Sequence, residues 1–315
     1  MLDLNRLQLL HQLSILGTVG RVAEARELTR PAVSHQLARL EEDVGTVLFE
    51  RSGRGVKLTS AGLQLVARSK ELLSLAERIE AEMEALSSEI AGELRIAAFG
   101  SAASGLVPGM LRLLQNRHPR VDVHTVEMES DEGMQAAAAK RVDLAVVYDP
   151  PEAFSPPESL QMLPLCKDRF VAVLPAGHRY AGRSHLSLAE LSQERWDMNT
   201  ASRGYHSLLM RACQEHGFEP RVRSSCRNPA ASLELIRTGA LVAVFPALVM
   251  MAARHDPDFA IIPLTPPLER TIFVATVRES SRRPVVAAAI TALRESSSVL
   301  PRTGNRPGSA VKQRT

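Results

Sequence analysis

The sequence predicts an α/β protein of two lobes, preceded by a small helical head and a long connecting helix. Three observations predict it. Over the first sixty residues, leucines recur at helical spacing between closely set turn residues. The next thirty hold an apolar repeat in alternating steps of four and three. From Gly92 onward, short strand-like apolar runs alternate with helical ones in two successive series. A chain of 315 residues has room for such a division, at ~150 residues per domain.

In the head, Leu4, Leu7, Leu10, Leu13 and Leu16 mark one helix that stops at Gly17. Thr18 can cap a second helix carrying Val22, Ala23 and Ala25. Thr29 can cap a third, with Pro31 in its first turn, where the missing N–H costs nothing. Val33, Leu37, Leu40 and Val44 form that helix's inward stripe; Pro31, Ser34, His35 and Ala38 form a small, polar opposite stripe. Val47, Leu48 and Phe49, then Val56, Lys57 and Leu58, flank a turn over residues 52–55 and read as a hairpin. The head thus spans 1–58.

A helix over 59–91 follows. Leu72, Ala76, Ile79, Met83, Leu86 and Ile90 form the seam of a two-helix coiled coil, so a partner helix is expected. Residues 92–298 read as βαβ grammar with parallel sheets, written twice. Strands are expected over 94–99, 121–126, 144–147, 170–174, 222–226 and 242–245, with another at Met198. Helices are expected over 106–114, 134–139, 186–191, 205–216 and 230–237. From about Arg294 the chain is rich in Ser, Pro, Gly, Arg and Lys without periodicity, and 299–315 is expected to be a disordered tail.

Composition narrows the function. Aromatic residues are only 4%, with one Trp, which argues against carbohydrate-binding surfaces. Cys166, Cys213 and Cys226 are odd in number and scattered, which argues against a disulfide framework or paired-cysteine zinc site and fits a reducing compartment. The start MLDLNRLQLLHQ lacks the pattern of a secretory signal, and no run approaches the ~18 apolar residues of a membrane span, so a cytoplasmic location off the membrane is expected. The nine histidines show no HxxxH or HExxH spacing, so no metal site is expected. Gly100 to Gly105 lacks the Lys and Ser/Thr of a phosphate loop. Ser34 and His35 are adjacent on a helix and point ~100° apart, unsuited to a nucleophile–base pair. Neither an enzyme nor a cofactor is expected.

The net charge of +3 permits a polyanion partner without demanding one. Placement is more telling. No acid lies between Arg30 and Leu40, nor between Arg51 and Ser60, so the start of the third helix and the hairpin are locally basic. Base reading needs short polar side chains on a helix that fits the major groove; phosphates need cations and helix N-termini. A generic solvated helical face fits the pattern equally well.

The stretch from Gly17 to Gly45, with Leu48 to Thr59 after it, closely resembles the winged helix-turn-helix of LysR-type transcriptional regulators, without a gap. A weaker match continues through Leu94, Arg95 and Ile96 and through 141–144. The resemblance implies that Arg30, Pro31, Ser34 and His35 enter the major groove of double-stranded DNA. It implies that Gln36, Arg39 and Arg51 secure the helix or touch the backbone, and that Arg54 tips the wing toward the minor groove. Arg26 departs from the family's usual Leu, and Arg30 from a frequent Gln.

The resemblance further implies a two-lobed, type 2 periplasmic-binding-protein-like effector domain, with a small molecule between the lobes, and a homodimer or homotetramer. Ligands of parallel sheets sit at strand C-termini, beside helix N-termini. That places Ser101 and Ala102 in lobe one, with Ser130 across from them. Asn199, Thr200, Ser202 and Tyr205 approach from lobe two, and Phe245 ends a later strand. N-capping explains any one of these hydroxyls as well as ligand contact does. Helix ends favour a carboxylate over an amine. A solute-binding protein and a ligand-independent DNA-binding repressor are the alternatives.

Overall fold

Each helix of the head begins and ends where its caps dictate. The computed structural model describes residues 1–52, 55–85, 89–148, 156–251 and 253–298. Helix α1 (Leu4–Leu16) starts at Asp3, whose carboxylate accepts the N–H groups of Asn5 and Arg6, and stops at Gly17 with φ 74°. Thr18 caps α2 (Val19–Ala25), and Thr29 caps α3 (Arg30–Val44), with Pro31 in its first turn. Strands β1 (Phe49–Ser52) and β2 (Gly55–Leu58) pair antiparallel from Phe49↔Leu58 to Ser52↔Gly55. Glu41 Oε1 accepts the Leu48 N–H at 2.8 Å and ties this hairpin to α3. Leu7, Leu10, Leu37, Leu40 and Leu48 are fully buried between these elements.

Helix α4 (Ser60–Ala85) rises about 39 Å at 1.5 Å per residue. Val66, Ser69 and Leu73 bury one face, while Leu63, Leu72, Leu75, Ile79 and Met83 stand exposed on the helix. Leu72, Ile79 and Met83 belong to the expected seam. Leu86 lies outside the described residues. Ile90 departs from the seam: the chain has left the helix there, and the side chain packs on the core of lobe one.

Lobe one is built from β3 (Gly92–Ala98), α5 (Gly100–Gly105), α6 (Val107–Arg117), β4 (Val121–Glu127), α7 (Ser130–Ala138) and β5 (Leu144–Tyr148). The chain then crosses on β6 (Leu160–Pro175) into lobe two, which holds β7 (Arg195–Asp197), α8 (Arg203–Glu215), β8 (Arg221–Ser224), α9 (Pro229–Arg237), β9 (Ala243–Pro246) and β10 (Phe259–Pro263). It returns on β11 (Glu269–Val277) and ends in α10 (Pro284–Ser298) against lobe one.

The expectation of two separate parallel sheets needs correction. Strands β3, β4 and β5 are parallel, but one seven-stranded mixed sheet runs through both lobes in the order β10-β6-β11-β5-β3-β4, with β9 on β6. The cause is β6, sixteen residues long, which pairs antiparallel with β11 along its first part and with β9 and β10 along its last. The helix expected over 186–191 is a short 3-10 turn over Leu188–Leu191. Helix α10 continues past Arg294 to Ser298, because Val286, Ala289, Ile290, Leu293 and Ser297 keep one face buried. The tail over 299–315 lies outside the described residues. Among those described, no helix is long and apolar enough to cross a membrane.

The joint between hairpin and α4 rests on Gly62, where a Cβ would overlap the Leu48 carbonyl oxygen. That oxygen already accepts the Thr59 N–H at 3.0 Å. Gly62→Ala is therefore expected to destabilise the head by about 1–3 kcal/mol, the usual cost of overpacking. Urea denaturation checks this; an unchanged midpoint would show that the joint yields freely.

Candidate nucleic-acid interface and ligand cleft

Helix α3 divides its side chains sharply. Val33, Leu37 and Leu40 are fully buried, while Arg30, Pro31, Ser34, His35, Ala38 and Arg39 are exposed. The exposed stripe carries one hydroxyl, one imidazole and two guanidinium groups. Gln36 is partly buried, its amide oxygen accepting from Arg6 Nε at 3.1 Å, so it braces α3 against α1. Arg39 pairs with Glu42 in solvent. Arg51 stands on β1 opposite Val56, and Arg54 lies outside the described residues.

Between the lobes lies a cleft of 700 Å³. Of the expected ligand residues, it brings together Ser101, Asn199, Ser202, Tyr205 and Phe245. The other three are corrected. Ala102 is fully buried on the inner face of α5. Ser130 is also buried, its Oγ accepting the Tyr148 N–H at 3.1 Å; it pins α7 to β5 and does not face Ser101. Thr200 is held at 2.7 Å by Ser225, outside the cleft lining.

Sequence reasoning missed the floor of this cleft. Arg270 on β11 is 3% exposed and donates from Nε and Nη2 to Asp168 Oδ2 at 3.0 and 2.8 Å. Nη2 also donates to Ser101 Oγ at 2.6 Å. The guanidinium lies 4.7 Å from the ring centres of both Phe99 and Tyr148. Asp168 accepts the Leu248 N–H through its other oxygen. Burial pushes the Asp168 carboxyl up, and Arg270 pulls the other way. Asp168 lies within the charged run Lys167-Asp168-Arg169 and Arg270 follows Glu269, so neither stands out in the sequence as a buried charge.

Across the mouth, Ser202 Oγ donates to Glu129 Oε2 at 3.0 Å, and Arg203 pairs with Asp131 at 2.6 Å. Each contact joins one lobe to the other. Gly204 is needed beside them, since a Cβ there would overlap the Tyr148 hydroxyl. The half-buried Glu129 carboxyl is held above its ordinary range, chiefly by desolvation, with Asp131, Glu132 and Glu127 adding to the rise and Ser202 opposing it. A second hollow, 650 Å³ on lobe two, is walled by charges that pair among themselves, Arg179 with Glu194 and Arg237 with Asp258.

Helix α7 links the cleft to the head. It begins beside Glu129 and runs about 13 Å, at 1.5 Å per residue, to a C-terminus against α1. There the buried Gln12 donates from Nε2 to the Ala139 carbonyl at 2.8 Å. Lys140, at φ 56°, pairs with Glu77 of α4. Gln12 Oε1 and Glu77 Oε2 are the two buried side-chain oxygens without a partner among the described residues, and both lie at this junction.

Residues 4–63 match the model of the bacterial regulatory helix-turn-helix proteins of the lysR family, and residues 87–298 match that of the LysR substrate binding domain. The RuBisCO operon transcriptional regulator of Allochromatium vinosum is 28% identical over 237 residues, 75% of this chain and 77% of that protein. A full-length OxyR variant from Pseudomonas aeruginosa aligns with a TM-score of 0.71 at 20% identity, covering 98% of this chain and 99% of that one. CbnR, solved in complex with its target DNA, aligns with a TM-score of 0.54 at 23% identity, covering 94% of this chain and all of that one. At these identities, the two structures show likeness of fold.

The junction carries a pH dependence. His11 is driven from the ordinary 6.5 to about 4, first by burial and then by Lys140 and Lys70. The unfolded chain therefore takes up the proton first, so this contribution is complete above pH 6.5 and is lost as pH falls toward 4. A shift of that size corresponds to about 3 kcal/mol. The fall in urea stability over this range is expected to be steeper in the wild type than in His11→Asn; parallel curves would remove His11 from the junction.

Proposed function

Because the chain belongs to the LysR family of transcriptional regulators, we propose that it reads duplex DNA through the exposed stripe of α3, under control of a small molecule held between its two lobes. The observation that carries this reading is the division of α3: a sealed apolar stripe fixes the helix, and the opposite stripe offers Ser34 and His35 to a groove. In this reading Arg30, Pro31, Ser34 and His35 face base edges. Arg39, Arg51 and Arg54 neutralise phosphates, and Gln36 holds the helix in register. The chain divides into a DNA-binding head (1–58), a dimerising segment built on α4 (59–91) and an effector domain (92–298), and works in the cytoplasm.

The exposed face of α4 supports a homodimer, since Leu72, Ile79 and Met83 lie in solvent until a second helix covers them. Two such dimers would make the homotetramer. Ser101 and Arg270 on the cleft floor support an effector bearing a carboxylate. The effector biases the arrangement of the lobes, and α7 carries that bias to α1 through the Gln12–Ala139 contact.

Ser34→Ala and His35→Ala are each expected to weaken operator binding by about 1–3 kcal/mol while leaving random-duplex affinity nearly unchanged. Fluorescence anisotropy on both duplexes tests this; equal losses would mean that these residues only position the helix. Met83→Asp places an unpaired charge in the α4 seam, and the dimer is expected to split, with operator affinity falling in parallel. A variant that stays dimeric by light scattering at low concentration would overturn the seam.

A further inference from the structure

We propose that the cleft ligand is a zwitterion, one small molecule carrying both a carboxylate and a protonated amine, of the amino-acid type with an apolar side chain. This rests on reading the cleft as the effector site, and it adds a second charged pole to the carboxylate already inferred.

The first pole is Arg270. Its hydrogen bonds leave from Nε and Nη2. Nη1 makes no described hydrogen bond, and Arg270 lines the cleft. Because Ser101 Oγ accepts from Nη2, the serine's own proton is free to point toward a ligand. Two donors thus converge on one anionic group from a nearly sealed floor.

The second pole is Glu129, with Glu127 beside it on the same wall. Glu129 receives one described hydrogen bond, from Ser202, and no lysine or arginine pairs with it among the described residues. Arg203, the nearest candidate by sequence, is taken by Asp131. A half-buried carboxylate with a single neutral donor lacks its counter-ion, and burial accordingly holds its carboxyl above the usual range.

Tyr148 touches both poles. Tyr148 turns its ring face to Arg270 at 4.7 Å, while its hydroxyl end abuts Gly204 and Ser202 next to Glu129. The other cation lining the cleft among the described residues, the exposed Arg227, makes no described pair with Glu127 or Glu129, so a plain carboxylate bound at Arg270 would leave both without a paired counter-ion. A plain amine would face Arg270. A molecule carrying both charges complements both poles, and Leu233, Phe245, Val249 and Ala253 leave an apolar wall for its side chain.

Titration calorimetry on the full-length protein tests this. The probes are the twenty common L-amino acids, then the deaminated acid and the decarboxylated amine of the tightest binder. An apolar amino acid is expected to bind at least tenfold more tightly than either analogue. Glu129→Gln should remove that advantage by weakening the amino acid tenfold while leaving the deaminated acid unchanged. Ser101→Ala, which spares the Arg270–Asp168 pair, should weaken the amino acid and the deaminated acid alike. The proposal is overturned if the deaminated acid binds as tightly as the amino acid, if Glu129→Gln weakens both equally, or if no amino acid binds. In that last case the carboxylic acid counterparts of leucine, methionine and phenylalanine are titrated in turn. Their binding would sink the zwitterion and leave the carboxylate effector standing; their failure to bind would sink both.

Discussion

A guanidinium can be kept in the waist between the lobes only if its charge is answered there, and Asp168 answers it. The two sit on the crossing strands β6 and β11, and breaking such a pair by removing one partner costs about 3–5 kcal/mol, because the survivor stays buried and unpaired. The pair also organises what surrounds it. Asp168 fixes the Leu248 backbone of lobe two, while Arg270 fixes the Ser101 hydroxyl of lobe one and gathers Phe99, Tyr148 and Phe170 around its plane. One ion pair therefore positions the cleft floor, the serine on it and the start of both walls.

Much of this was legible from local signals. The caps Thr18 and Thr29, the stop at Gly17, the Val33–Leu37–Leu40 stripe and the hairpin are all short-range features, and they fold as their residues dictate. In lobe one β3, β4, β5, α6 and α7 were legible for the same reason, whereas α5, β11 and α10 were not among the expected elements. What escaped was long-range. Residues 168 and 270 are a hundred positions apart, and nothing local to either states that it meets the other. Reading the two lobes as separate parallel sheets failed because β6 serves both, and pairing of that kind is not written in hydrophobic period. Ser130 misled for a subtler reason: a hydroxyl at a helix start can face a ligand or its own fold, and here the Tyr148 N–H claims it.

The junction between head and lobe one is unusual in what it leaves undone. A buried amide oxygen and a buried carboxylate oxygen, each without a donor among the described residues, both fall on this one surface. The Gln12–Ala139 and Lys140–Glu77 contacts hold the surfaces together. The helix that begins at the cleft wall thus ends on the head, where its C-terminal end is tied to both α1 and α4.

The continuity of β6 and β11 has a mechanical consequence. Two ordered strands, hydrogen-bonded to each other through the waist, join the lobes, and their register shifts between Ile272 and Phe273. A flexible linker would let the lobes drift through a wide cone of orientations. A paired ribbon resists stretching and in-plane bending and gives most readily about its own long axis, the more so at a bulge. Turning one lobe on the other must therefore deform a hydrogen-bonded ribbon, which holds the cleft's two walls in a set relation where a loose tether would not.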